Sequence, residues 1–63
     1  MTPRDFKRWR TEIVRMKQTE AAVALGMSRT SIYKMEAGLQ GIEKRTRLAM
    51  AALSMGLRDY EVP

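Results

Sequence analysis

Residues 18–38 read QTEAAVALGMSRTSIYKMEAG, and this stretch predicts two short helices joined by a turn. Ala21, Ala22 and Leu25 give the first helix a narrow apolar face. Gly26 follows them and can adopt the left-handed conformation that ends a helix. Ser28 can then cap the second helix, since its hydroxyl can accept a free backbone N–H. The sequence therefore predicts a helix, a tight turn and a second helix.

The second predicted helix is polar on most of its surface. Ile32 and Met35 lie three residues apart and can face inward, so the remaining side chains project outward, namely Arg29, Thr30, Tyr33 and Lys34. An exposed helix of this composition suits the major groove of DNA. Arginine can donate to O6 and N7 of guanine, lysine can donate to the same edge, and the threonine methyl can contact thymine. The alternative for the two cations is contact with phosphates alone, which are the more frequent contacts.

Size and charge limit the functions open to this chain. Its 63 residues form a single domain, which buries too little for an enclosed active site. Twelve Lys and Arg residues against seven Asp and Glu give a net charge of +5, which favours a polyanionic partner over a merely soluble basic surface. The absence of Cys and His removes thiol nucleophiles, structural zinc and the commonest general base. We expect no enzymatic activity, metal, cofactor or small-molecule ligand.

Helical signals dominate the whole chain. Alternating β-branched residues are missing and both prolines lie near the ends, at Pro3 and Pro63, so the sequence predicts an all-α domain. Thr2 can cap a first helix that begins at Pro3. Phe6, Trp9 and Ile13 then recur at helical spacing, which predicts one apolar stripe, with Trp9 in the core rather than stacked on a ligand. No apolar run approaches the roughly 18 residues of a membrane span, and no secretory signal is present. We expect a cytoplasmic protein.

A further helix is predicted to begin near Glu43, after a connector at 39–42. Its apolar side is expected to consist of Leu48, Ala49, Ala52, Leu53 and Met55, and Gly56 should end it. Lys44, Arg45 and Arg47 form a basic cluster at its start, for which we expect phosphate contacts, aided by the free amides of Gly41 and Ile42. The alternative for this cluster is a solvated charged face.

Apolar residues continue beyond Gly56, at Leu57, Tyr60 and Val62. They predict a short extra turn that docks on the core or on a second subunit. The candidates for a dimer interface are Leu53, Met55, Leu57 and Tyr60, and the alternative is that these side chains complete the core of one copy.

Together these residues resemble the helix-turn-helix family of phage repressors and Cro proteins, also called XRE-like. The resemblance covers about residues 4 to 57 and rests on Gln18, Glu20, Ala22, the turn LGMS at 25–28, Ile32, EAG at 36–38, RLA at 47–49 and AAL at 51–53 followed by Gly56 and Leu57. It implies a compact lambda-repressor-like domain of four to five helices that spans residues 1–63. Helix 2 would occupy about 18–25 and the recognition helix about 28–36.

The resemblance also implies roles for individual residues. Gln18 lies where the family's glutamine reaches a DNA phosphate, and Ser28 lies at a cap that often touches the DNA backbone as well. Arg29, Thr30 and Lys34 fall on positions that usually face base edges. The position of Tyr33 can read a base, meet the sugar-phosphate chain or face solvent.

The chain departs from the family pattern before helix 2. Lys17 stands where a serine-like N-cap is common, and Arg15 stands where glycine is common. The linker from Arg10 to Gln18 is one residue longer than usual. The family often pairs an arginine of helix 1 with the glutamate that closes the recognition helix, which implies a pair between Arg10 and Glu36 here, the alternative being two separate surface charges.

The function implied by the resemblance is sequence-specific DNA binding that regulates transcription. We expect a repressor or autorepressor of phage or prophage type that binds a palindromic operator in double-stranded DNA as a homodimer, at the nucleoid of a bacterial or phage-infected cell. The alternative is a protein-interaction module, such as an antitoxin-like partner with secondary DNA binding, that uses a methionine-rich surface. RNA binding is a third hypothesis, although the aromatic platform of single-strand binders is missing.

Overall fold

A computed structural model describes residues 1–57 and contains four α-helices and no strand in that range. The helices are α1 (Pro3–Arg8), α2 (Gln18–Leu25), α3 (Arg29–Glu36) and α4 (Lys44–Ser54). A π-helical turn at Trp9–Ile13, called the π turn below, continues α1 directly. The predicted all-α fold is thus confirmed. No helix within the described range has the length and apolar character needed to cross a membrane.

Local capping signals begin and end the helices as expected. Thr2 Oγ1 accepts the backbone N–H of Asp5 at 3.1 Å, and the Asp5 carboxylate accepts the N–H of Thr2 at 2.9 Å. Gly26 has φ +67° at the end of α2, which is the left-handed conformation that glycine adopts without strain. Ser28 Oγ accepts the N–H of Ser31 at 3.1 Å at the start of α3. These bonds satisfy helix-end groups that would otherwise lack partners.

The core is formed by side chains from α1, the π turn, α2, α3 and α4. Phe6, Ile32 and Met35 are its largest fully buried side chains. Trp9 is 8% exposed and packs its ring 5.8 Å from that of Phe6, between centroids. The remaining buried apolar residues come from α2 and α4, namely Ala21, Ala22 and Met50. Helix α3 contacts both α1 and α2, and α2 also contacts α4.

The prediction that Ile13 lies in the core is wrong, since its side chain is 60% exposed. The reason is the π turn, in which the N–H of Val14 donates to the carbonyl of Trp9, five residues earlier, at 3.1 Å. A π turn holds one residue more than an α turn, so the residue five places after Trp9 lies above it rather than the residue four places after it. Val14 accordingly packs against the core in the place expected for Ile13.

The inward face of α4 also differs from the prediction. Leu48 is 62% exposed and Met55 is 75% exposed, whereas the buried residues of this helix are Thr46 and Met50. Leu53 also packs against the core. It lies on the same helix face as Thr46 and Met50, because the three residues are separated by four and three positions. Leu48 is two residues from both Thr46 and Met50, and therefore lies on the opposite side of the helix.

Candidate nucleic-acid interface

Helix α3 presents a polar face to solvent, as the sequence predicts. Ile32 and Met35 are completely buried beneath it. The side chains of Arg29, Thr30, Tyr33 and Lys34 are all exposed. The two buried residues fix the rotation of the helix, so the outward direction of the polar residues follows from the core.

A shallow depression lies at the amino-terminal part of this face. Its lining consists of Arg29, Thr30 and Tyr33 from α3 and Gln18 from the first position of α2. The structure therefore brings three of the four predicted base-contacting residues together with one predicted backbone-contacting residue. Lys34 lies on the same exposed helix face but outside the lining of the depression.

A buried ion pair joins Arg10 to Glu36. Arg10 is 9% exposed, and its guanidinium pairs with both carboxylate oxygens of Glu36, with Nη2 3.0 Å from Oε1. Arg10 Nη1 also donates to the carbonyl of Met16 at 2.9 Å. The predicted pair of Arg10 and Glu36 is thus present, and it joins the π turn, the linker and the end of α3.

Gln18 is connected to this ion pair. Its Nε2 donates to Oε1 of Glu36 at 3.3 Å, which holds the amide at the edge of the depression. The link between Gln18 and Glu36 was not predicted from the sequence, because the two residues are 18 positions apart and meet only when α2 packs on α3. One N–H of the amide is engaged in this way, and the other has no hydrogen-bond acceptor within the part of the chain that the structure describes.

The start of α2 has no side-chain cap from residue 17, as expected for a lysine. The capping contact comes instead from inside the helix, where Oε1 of Glu20 accepts the N–H of Lys17 at 2.8 Å. Just before it, Arg15 has φ +52°, a left-handed conformation that is unfavourable for any residue with a Cβ atom. Arg15 is therefore strained where a glycine would not be.

The basic cluster at the start of α4 is exposed, and part of it has intrachain partners. Arg45 pairs with Glu43 at 2.9 Å, and Arg47 Nη1 donates to the carbonyl of Ile42 at 3.2 Å. Lys44 is exposed, with no ion-pair partner among residues 1–57. Arg45 lines a groove with Gly26 and the adjacent connector, so the cluster does not reach the depression on α3.

The carboxylates of residues 1–57 are all engaged away from the outer face of α3. Asp5 and Glu20 cap α1 and α2, and the other three pair with arginines, as Glu12 with Arg8, Glu36 with Arg10 and Glu43 with Arg45. No carboxylate in this range lies within ion-pair distance of Arg29 or Lys34. Among residues 1–57, these two cations therefore have donors that no carboxylate occupies.

The candidates for a dimer interface divide into three groups. Leu53 is half-buried and packs against the core of its own chain. Met55 and Leu57 are 75% and 54% exposed. Tyr60 lies outside the described residues, as does Val62, and with them most of the predicted extra turn.

Comparison with protein-family models, with curated proteins and with solved structures gives no match for this chain.

Proposed function

We propose that this chain binds double-stranded DNA in a sequence-specific manner, with α3 as its recognition helix in the major groove. The observation that carries the proposal is the outer face of α3, where Arg29 and Lys34 stand exposed and without a carboxylate partner in the described range. An arginine held in an ion pair would have to break that pair before it could bind guanine. The major groove admits one α-helix, and its base edges carry the acceptors that these donors need.

Specificity in this proposal comes from Arg29, Thr30, Tyr33 and Lys34. Arg29 donates to O6 and N7 of a guanine, and Lys34 donates to the same type of edge five residues further along the helix. Thr30 and Tyr33 each contribute apolar atoms and a hydroxyl group for contacts with the bases. Rigid support from Ile32 and Met35 favours this role, because a fixed helix holds its side chains at defined distances from the bases.

Phosphate contacts in this proposal come from Gln18, Ser28, Lys44, Arg45 and Arg47. Lys44 can bind a phosphate without breaking an ion pair to residues 1–57, whereas Arg45 must exchange Glu43 for a phosphate. Such an exchange has a low free-energy cost because both partners are largely exposed, and exposed ion pairs contribute at most about 1 kcal/mol. The phosphate contacts fix the register of α3 on the duplex and supply salt-dependent affinity.

The regulatory role we propose is repression or autorepression by a homodimer on a palindromic operator. A single copy covers few base pairs, and two copies related by a two-fold axis would place their α3 helices about 34 Å apart, one turn of DNA. Met55 and Leu57 are exposed apolar residues near the end of α4 that can contact the second copy. Repression by promoter occupancy implies a location in the cytoplasm, at the nucleoid of a bacterial or phage-infected cell.

The distribution of methionines favours DNA over a protein ligand. Met35 and Met50 are buried, and Met16 and Met27 are half-buried against the core. Of the six methionines only the first, at residue 1, and Met55 are exposed. The antitoxin-like alternative needs a methionine-rich surface to bind its partner protein. Most of the methionine side chains pack in or against the core and therefore cannot form such a surface.

Selection of bound duplexes from a random pool tests the proposal. We expect an enriched palindromic sequence with guanine in each half-site, bound in preference to nonspecific DNA and to RNA of the same length. Arg29→Ala should relax the preference at one position, whereas Arg8→Ala, which removes the same charge from an exposed site on α1, should retain the motif. Recovery of no enriched motif, or equal competition by RNA, would remove the proposal.

A further inference from the structure

We propose that the groove between the start of α4 and the turn that joins α2 to α3 binds a small carboxylate with a short aliphatic chain. This α4 groove has a volume of about 360 Å³, within the range of about 300–1,000 Å³ that is typical of small-molecule sites. It shares no lining residue with the depression on α3. The site is therefore separate from the proposed recognition face, and its test needs no DNA.

Part of the lining of the α4 groove is apolar. Leu25 and Met27 contribute from the end of α2 and the following turn, and Ala49 contributes from α4. All three residues are half-buried, so part of their apolar surface remains accessible. A short aliphatic chain that covers this surface removes it from water, which favours binding. The groove forms only when α2 and α4 meet, which is why the sequence predicts no small-molecule ligand.

The polar part of the lining is the amino terminus of α4. This helix has eleven residues, and its N-cap residue, Glu43, forms no side-chain capping bond. The first bond of the helix ladder runs from the N–H of Arg47 to the carbonyl of Glu43 at 3.1 Å. The amides of Lys44, Arg45 and Thr46 therefore donate to no acceptor among residues 1–57. Free N–H groups and the helix dipole favour an anionic oxygen at this end.

The hydroxyl of Thr46 is a second, independent sign of a ligand at this end. Thr46 is only 7% exposed and lines the α4 groove, yet its hydroxyl forms no hydrogen bond within residues 1–57. Every completely buried side-chain N or O atom in that range has a hydrogen-bond partner. The hydroxyl must therefore keep its small accessible surface at the groove. Because buried polar groups are normally paired, a hydroxyl that is open only to a groove marks the place of a ligand atom.

Charge and shape favour a monocarboxylate over a phosphate in the α4 groove. Glu43 and Arg45 both line it, and their side chains form an ion pair at 2.9 Å. A doubly charged phosphate would be repelled by Glu43 and would leave the apolar lining uncovered. A carboxylate carries one charge, accepts from the free amides of α4 and from the Thr46 hydroxyl, and places its aliphatic chain on the apolar lining. Such a ligand therefore fits both parts of the groove.

Titration of the isotope-labelled protein with pentanoate, followed by nuclear magnetic resonance at constant ionic strength, tests this site. We expect saturable shifts of the amides of Lys44, Arg45 and Thr46, with a Kd on the order of 1 mM. Acetate lacks the aliphatic chain and should bind at least about tenfold more weakly, since each buried methylene is worth about fourfold. Pentanol lacks the charge and should not shift these amides. Inorganic phosphate that binds as tightly as pentanoate would overturn the assignment of an aliphatic carboxylate.

Matched variants assign the binding to the α4 groove. Thr46→Val removes the hydroxyl at nearly constant volume and should weaken pentanoate binding about tenfold, as expected for one hydrogen bond to a charged group. Thr30→Val makes the same change at an exposed position of α3 and should leave the affinity unchanged. Glu43→Gln removes the competing carboxylate and should tighten binding. Ala49→Leu fills the apolar part and should abolish binding, which keeps the test valid if Thr46→Val does not fold.

Three results would each overturn the site. The first is a set of amide shifts that do not saturate or that spread evenly over all basic residues, since this indicates nonspecific ion binding. The second is wild-type affinity for pentanoate in Ala49→Leu, and the third is weaker binding in Glu43→Gln. None of these results bears on DNA binding by α3, which the selection of bound duplexes tests separately.

Discussion

The guanidinium of Arg10 donates to both carboxylate oxygens of Glu36 at a buried position, across 26 residues of sequence. Arg10 lies in the π turn that continues α1, and Glu36 is the last residue of α3. The pair therefore ties the orientation of the polar helix to the first helical segment. Glu36 also accepts a hydrogen bond from Gln18, which lies at the edge of the depression on α3. Stability and the shape of the candidate interface depend on the same contact.

Removing one member of this pair should strongly destabilise the fold. Arg10→Ala leaves the Glu36 carboxylate buried without its charge partner, which typically costs about 3–5 kcal/mol. A core of this size rarely supplies more than about 3–5 kcal/mol, so we expect a largely unfolded chain by circular dichroism at 25 °C. The double variant Arg10→Met with Glu36→Leu should recover most of the helical signal. A double-mutant cycle of Arg10→Ala and Glu36→Ala without coupling energy would contradict this account.

Arg15→Gly should stabilise the protein. The left-handed conformation of residue 15 costs an L-residue about 1–2 kcal/mol, and glycine avoids this cost but loses about 0.5–1 kcal/mol of backbone entropy on folding. We expect a net gain of about 0.5 kcal/mol in the free energy of unfolding, measured as a higher urea midpoint at unchanged slope. Arg15→Ala retains the Cβ atom and serves as the control. An equal gain in the alanine variant would assign the effect to the arginine side chain instead of the backbone.

Stability should fall at acid pH through Asp5. The N–H of Thr2, followed by its hydroxyl, hydrogen-bonds the Asp5 carboxylate and lowers its pKa below the ordinary value. A lowered pKa in the folded state gives stability that is present above the unfolded pKa of about 4 and is lost as the pH falls through the lower folded pKa. We expect Asp5→Asn to flatten the dependence of melting temperature on pH below about 4.

Thr2→Ala is the matched variant for this effect. Alanine keeps the backbone N–H, which is the larger cause of the pKa shift, and removes only the hydroxyl. Part of the acid sensitivity should therefore remain. If Asp5→Asn keeps the wild-type dependence of melting temperature on pH, the Asp5 carboxylate does not cause the loss of stability at acid pH.

Arg29→Ala should change specificity without changing the fold. A bidentate contact to guanine is worth about 1–3 kcal/mol of discrimination, so binding to the selected operator should weaken while one position loses its preference. The side chain is exposed, and the melting temperature should remain at the wild-type value. Uniform weakening across all sequences would instead indicate that Arg29 contacts a phosphate.

Lys44→Ala should act on affinity and not on sequence preference. Loss of one phosphate contact reduces the slope of log binding constant against log salt by about one unit. The measurement is a titration of operator binding at a series of salt concentrations. Lys7→Ala, an exposed charge on α1, is the control and should leave the slope unchanged. Equal slopes for Lys44→Ala and wild type would support the alternative that this cluster is a solvated face.

Local signals in the sequence predicted the helix ends correctly. Thr2, Gly26 and Ser28 act through hydrogen bonds and backbone conformations within a few residues, so their neighbours in the sequence contain the needed information. The inward residues of α3 were also predicted, because Ile32 and Met35 are its only large aliphatic side chains.

Features that depend on geometry beyond one helical turn were missed. A period of 3.6 residues does not hold in the π turn, so the prediction for Ile13 is wrong and Val14 takes its place. The inner face of α4 includes a threonine, Thr46, which apolar periodicity cannot select. The pair of Arg10 and Glu36 followed from the resemblance, but the bond from Gln18 to the same glutamate needed the packed structure.

Trp9 gives this protein an internal optical reporter. It is the only tryptophan, and its indole N–H donates to Ser54 Oγ at 2.7 Å, near the end of α4. Its emission therefore reports on the contact between the first helical segment and the last described helix. Docking of these segments and its loss on unfolding can be followed in the unlabelled wild-type chain.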